Sequence, residues 1–161
     1  MSRLLHSRPA MPLEFREAQP DDLGRLVELL ANDPLGRLRE DPSQPLNPSY
    51  HDAFESIRSD PNNELVVAES SGQLVGMVQL TFIPYITHTG SWRCLIEGVR
   101  VDKDHRGKGW GASLIRWAIS RAQERGCHLV QLTSDKQRPE ALKFYESLGF
   151  QATHEGFKLK L

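Results

Sequence analysis

Apolar residues recur along the chain with two different periods, and the switches between them outline the elements. Leu13-Glu14-Phe15-Arg16-Glu17-Ala18 alternates apolar with polar and predicts a first strand. Pro20-Asp21-Asp22 then opens a helix, its acids suiting the positive end, with Leu23, Leu26, Val27 and Leu30 on one face. Residues 32–49 carry Pro34, Gly36, Pro42, Pro45 and Pro48 and read as loop, followed by a short helix over 50–59 with Ala53, Phe54 and Ile57 inward. Residues 64–69 and 73–82 are β-rich runs joined at Ser70-Ser71-Gly72, a hairpin pattern, and 92–101 is a third such run interrupted by Glu97-Gly98. A glycine-rich turn follows, then helical spacing of Leu114, Ile115, Trp117, Ala118 and Ala122 up to Gly126. Residues 129–133 predict a strand and 138–148 a helix closed by Gly149, and 150–161 offers two last strands about Glu155-Gly156.

That order implies an α/β (α+β) fold: a mostly antiparallel mixed sheet of about seven strands, flanked by about four helices on both faces. At 161 residues the chain fits one domain, over 13–161, preceded by a flexible tail over 1–12. Twenty Lys and Arg against 21 Asp and Glu leave a net charge of −1, which argues against a general nucleic-acid binder. No run approaches the roughly 20 apolar residues of a membrane helix, and residues 1–11 lack the continuous apolar stretch of a secretory signal. A cytoplasmic protein is expected. Cys94 and Cys127 have no metal-ligand spacing and read as buried thiols; the scattered histidines form no metal set, so no metal is expected.

The candidate chemistry lies between Ile96 and the helix that follows the turn Arg106-Gly107-Lys108-Gly109-Trp110-Gly111. A strand, a glycine-rich turn and a helix N-terminus make an anion site, because the unpaired N–H groups of the first helical turn point at the ligand. Arg106 and Lys108 add positive charge, and a pyrophosphate is the natural guest. The Lys-Ser/Thr ending of a Walker loop is missing, and so is the dinucleotide spacing. Gly98 marks either a β-bulge or a packing concession. Glu97 is a candidate general base for an ammonium, among apolar neighbours that would push its pKa up; it reads equally as a carboxylate that only binds the substrate amine or that faces solvent.

Arg106-x-x-Gly109-x-Gly111, following a strand that ends Val99-Arg100-Val101, resembles the acetyl-CoA signature of the GNAT superfamily, Arg/Gln-x-x-Gly-x-Gly/Ala. Phe144-Tyr145-Glu146-Ser147-Leu148-Gly149-Phe150 is similar to that superfamily's second signature, in the right order along the chain. The resemblance implies transfer of an acetyl group from acetyl-CoA to a primary amine, by direct attack in a ternary complex. It implies that the backbone of Val99, Arg100 and Val101 pairs with the pantetheine arm. The N–H groups from Gly107 through Lys108, Gly109, Trp110 and Gly111 to Ala112 would hold the pyrophosphate. Tyr145 would protonate the departing thiolate, a role a phenol suits, although a core tyrosine is the other reading. Many members carry Asn where this chain has Arg138; Arg138 either contacts the CoA phosphates or faces solvent. A small-molecule amine acceptor is expected, with acetylation of a protein N-terminus or lysine, or a non-catalytic acetyl-CoA-binding module, as alternatives. A homodimer is expected from sheet edges left open.

Overall fold

The computed structural model describes residues 12–161, so the tail expected over 1–12 falls almost wholly outside the described residues. Strand β1 (Glu14–Glu17) leads into α1 (Leu23–Ala31), and α2 (Pro48–Ser59) follows the proline-rich stretch. The hairpin of β2 (Asn63–Ser70) and β3 (Gln73–Pro84) turns at Ser71 and Gly72, both at positive φ, as a right-twisted type I′ turn requires. A single turn, α3 (Thr87–Gly90), connects to β4 (Trp92–Val101); then come α4 (Trp110–Glu124), β5 (Leu129–Gln131) and α5 (Pro139–Ser147).

The five strands lie in sequence order, β1 to β4 antiparallel and β5 parallel to β4. Strand alternation divides the core into two layers. Val66, Ala68, Val78, Leu80, Phe82, Cys94 and Ile96 face Leu114, Ile115, Ala118 and Ala122 of α4. Val67 and Met77 point the other way, against Leu23, Leu26, Val27 and Leu29 of α1 and Phe54 of α2. A mixed sheet with helices on both faces is the expected architecture.

Among the described residues the strand count is five rather than about seven. Residues 151–161 are exposed throughout and enter no strand. Their alternation is of strand type, but a strand persists only where another strand completes its hydrogen bonds, and among the described residues no such partner receives them.

Two features of β4 shape the site. Its pairing with β5 ends at Leu95 and Gln131, which leaves the second edge of β4 free from Ile96 to Val101. Its pairing with β3 steps out of register between Met77 and Gln79, so that Gly98 and Val99 together oppose Val78. Gly98 sits at φ 60, the backbone such a bulge demands.

Candidate active site

A cleft of about 440 Å³ opens where β4 and β5 part. Val99, Arg100 and Val101 form one wall, Asp33, Pro34 and Leu35 after α1 a second, and Arg106, Gln137 and Arg138 close it. The free β4 edge runs beside this cleft, offering unpaired backbone to an extended ligand.

The turn below the cleft has the anatomy of an anion site. Gly109 caps α4 in the left-handed region at φ 79, a conformation in which a side chain is strained. The first bond of the new helix is Ser113 N–H to Gly109 O, at 3.1 Å, so the N–H groups of Trp110, Gly111 and Ala112 have no acceptor among the described residues. Gly107 and Lys108 likewise donate to none of the described residues. The Trp110 side chain is buried and stacked on His105, with ring centroids 5.1 Å apart, so only its N–H serves the site. Gly111 faces Phe144 of α5: a Cβ there would stand 3.5 Å from the ring. This contact brings the two signature segments together.

The cations divide their work. Lys108 is exposed, its Nζ 5.3 Å above the Trp110 ring, and is free to meet a phosphate. Arg106 is committed to backbone carbonyls, donating to Val101 O at 3.3 Å and to Asn32 O at 3.0 Å; it braces the turn against the ends of β4 and α1. Arg100 is nearly buried, with Asp33 Oδ2 3.2 Å from its Nε. Arg138 donates to Asp33 Oδ1 at 2.9 Å, so one carboxylate bridges two guanidiniums across the cleft. Burial would push the Asp33 carboxyl up, but the Gly36 N–H at 2.7 Å and the two arginines outweigh it and hold it below the usual range. Arg138 is partly exposed, and its partner in this structure is Asp33.

Asp102 is a second organising carboxylate that sequence reasoning passed over. It is buried between β4 and the turn, takes an ion pair from Arg25 of α1 and accepts the Asp104 N–H at 2.9 Å. Burial acts to raise its pKa, yet these donors leave it lowered. Nothing in the spacing of Asp33 or Asp102 announces either role: each depends on an arginine far away in sequence.

Tyr145 lies on α5, edge-on to Phe144 and Phe150 at 5.1 and 5.8 Å between centroids. Burial raises its pKa, while Arg100 and Arg138 oppose that shift, so the phenol is neutral at pH 7. Glu97 is exposed on β4 and the apolar enclosure expected around it is absent. By strand parity it points to the same sheet face as Arg100, since their β3 partners Gln79 and Met77 share a face. The residues lining the cleft include Val99, Arg100, Val101, Arg106 and Arg138; Glu97, Tyr145 and the turn glycines lie outside that lining.

Burial pushes the Cys94 thiol up to about 12, which removes it as a nucleophile. Both cysteines are free thiols. Among the described residues no group of three His, Cys, Asp or Glu could hold a metal ion, and no helix is long and apolar enough to cross a membrane.

A strand edge opened by a bulge lies beside a helix N-terminus with free N–H groups, the parts of an anion site next to an open strand. Over residues 28–150 the chain matches the model of the acetyltransferase (GNAT) family, and it belongs to that family. It is 32% identical over 149 residues to glucosamine 6-phosphate N-acetyltransferase of Trypanosoma brucei brucei, covering 92% of this chain and 96% of that one. It is 29% identical over 109 residues to aminoalkylphosphonate N-acetyltransferase of Salmonella typhimurium, covering 68% of this chain and 70% of that one. A solved structure from Bacillus halodurans C-125, described as a transcriptional regulator, superposes with a TM-score of 0.90 at 55% identity, covering 93% of this chain and all of that one. The protein is an acetyl-CoA-dependent N-acetyltransferase.

Proposed function

We propose that this enzyme acetylates the primary amine of a small molecule that also carries an anionic group, such as a phosphate or phosphonate. The observation that carries the reading is the arginine-lined cleft: Arg100, Arg106 and Arg138 line it against Asp33 and Glu140, which leaves positive charge in excess. Its relatives in Trypanosoma and Salmonella bear names whose acceptors are phosphorylated or phosphonylated amines.

Acetyl-CoA supplies the activated acetyl group. The N–H groups from Gly107 to Ala112, with Lys108, hold its pyrophosphate, and the free edge of Val99, Arg100 and Val101 pairs with the pantetheine arm. Arg106 fixes the turn. A β4 N–H near Val99 meets the thioester oxygen. Glu97 accepts the proton of the substrate ammonium, directly or through water, and Tyr145 returns a proton to the leaving sulfur. The reaction belongs in a compartment that supplies acetyl-CoA, and the cytoplasm is the expected one. The retention of both Glu97 and Tyr145 favours turnover over binding of acetyl-CoA alone.

A thiol-release assay against paired amines tests this reading. Glucosamine 6-phosphate and aminoalkylphosphonates should be acetylated at kcat/KM values well above those of glucosamine and plain alkylamines. Equal rates for charged and uncharged partners would remove the anionic acceptor. Release of no CoA with any amine, despite cofactor binding, would leave a binding module.

A further inference from the structure

The residues on either side of the glycine-rich turn are held more firmly than the turn itself. Asp102, on the approach from β4, donates its N–H to Val75 O at 2.8 Å, takes the ion pair from Arg25 of α1 and accepts the Asp104 N–H at 2.9 Å. A single 3-10 turn, Lys103–His105, follows, and the His105 N–H returns to Asp102 O at 2.9 Å. On the far side Trp110 opens α4, whose inner face is packed on the sheet. Between these anchors lie Arg106, Gly107, Lys108 and Gly109. No N–H from Gly107 to Gly109 donates to a described residue, and both glycines sit at φ 79. Two glycines in four residues make a segment with many conformations to lose.

A side-chain contact spans this gap. His105 and Trp110 stand immediately before and after the four residues, and their rings are stacked, 5.1 Å between centroids and 13° from parallel. The same indole carries Lys108, whose Nζ lies 5.3 Å from the ring centroid. What holds the imidazole is the indole face rather than a side-chain hydrogen bond. His105 Nδ1 is buried without a hydrogen-bond partner among the described residues, and Asp102 Oδ1 stands 3.8 Å from it, beyond hydrogen-bond reach. A histidine placed for its proton would have that nitrogen paired; this one is placed for its ring.

We propose that His105 is a positioning residue for acetyl-CoA: through Trp110 it staples the turn in the shape that receives the pyrophosphate, so that the free N–H groups are aligned before the cofactor arrives. The inference rests on the reading of this turn as the pyrophosphate site, and it adds the residue that sets the site's affinity. A turn that is ordered only on binding weakens the observed affinity by the fraction of molecules in which it is already in shape. A stacked aromatic pair is strong enough to shift such an equilibrium by about two- to tenfold. His105 does not line the cleft, so it acts on the cofactor only through the indole.

Calorimetric titration of the full chain with CoA and acetyl-CoA decides this. His105→Ala should raise both dissociation constants by about two- to tenfold. His105→Phe keeps the ring and drops the unpaired nitrogen, so it should bind as the wild type does. His105→Asn, polar but without a ring, should be as weak as the alanine variant. Trp110→Leu breaks the stack from the other side and should reproduce the loss, and combining it with His105→Ala should add little to either change alone. Should His105→Ala fail to fold, the contrast between His105→Phe and His105→Asn stands in its place. If the wild type binds CoA and His105→Ala binds it equally well, this inference is overturned and the pyrophosphate site survives. A His105→Phe variant as weak as His105→Ala overturns it too, because the nitrogen and not the stack would then be what matters. Losses that add in full in the double variant would mean that the two rings act separately, with the same consequence. A wild type that binds no CoA removes the site and the inference together.

Discussion

At the scale of single residues, the site is governed by how carboxylates and a phenol meet buried arginines. Tyr145 keeps its proton at neutral pH because burial outweighs the nearby cations. Tyr145→Phe should therefore keep acetyl-CoA affinity by calorimetry and slow turnover by about 10²–10⁴-fold; an unchanged rate with chemistry limiting returns Tyr145 to packing. For Glu97→Gln, the rate at neutral pH should fall, the acid-side limb of the pH–rate profile assigned to the base should vanish and higher pH should partly rescue it. A weaker apparent affinity with the pH limb intact would make Glu97 an amine ligand instead. Asp33 supports the fold as well as the cleft. Its folded pKa lies below the unfolded value of about 3.9, so its contribution is present above that pH and is lost as pH falls through it. Asp33→Asn should thus cost about 1–3 kcal/mol at pH 7, and its melting temperature should drop less than that of the wild type between pH 7 and pH 3. Parallel losses would exclude the linkage. Glu97 and Tyr145 were legible as candidates because each sits at a fixed distance from a glycine signature. Asp33, Arg25 and Asp102 were not, because their partners lie on other elements and come close only in the folded chain.

At the scale of elements, hydrophobic period carried most of the information and partnership supplied the rest. The helices over 23–31 and 110–124 and strands β2 to β4 follow the pattern of apolar positions closely, because each buries the face that its pattern marks; in the helix over 48–59 only Phe54 is buried while Ala53, expected inward, is exposed, and the helix over 139–147 is only partly covered. The C-terminal arm shows the limit. Alternation in residues 150–161 identifies a segment able to be a strand, but pairing is a property of its neighbours, and nothing in the arm itself supplies one. The turn before α4 shows the reverse case, where local chemistry suffices. Gly109 sits at φ 79 with open space where a Cβ would project, whereas Gly111 lies within α4, 3.5 Å from Phe144. Two alanine substitutions should accordingly separate. Gly109→Ala should lose about 1 kcal/mol through left-handed strain alone, while Gly111→Ala should hold or gain stability from helix propensity. Thermal melts of the two variants decide it: equal losses would mean that steric contact, not backbone conformation, selects glycine in this turn.

At the scale of the whole molecule, the cleft is a junction of parts that the chain must bring from both faces and both ends of the sheet. Its walls come from the end of α1, the end of β4, the turn before α4 and the start of α5, joined by Asp33, Arg106 and Arg138. The mixed sheet was foreseeable from the order of elements, since two helical crossovers after a meander imply it. That Asp33 would bind Arg100 and Arg138 across the opening was not, since it depends on how α1 meets α5. A ligand lying in this junction touches four elements at once, so its binding should stabilise the fold as a unit rather than one loop. At a concentration 100 times its dissociation constant, a ligand that binds only the folded state adds about 2.7 kcal/mol. For a chain of this size each kcal/mol moves the midpoint by roughly 2–4 °C, so acetyl-CoA should raise the melting temperature by about 5–11 °C. CoA, which shares the pyrophosphate and pantetheine contacts, should recover most of that shift, and pantetheine alone, without the pyrophosphate, should recover little. Saturating acetyl-CoA that leaves the midpoint unmoved, with no heat in calorimetry, would remove the turn at Arg106 to Gly111 as a cofactor site. A full shift with pantetheine would place the affinity on the β4 edge and leave the free N–H groups of α4 as a helix start alone.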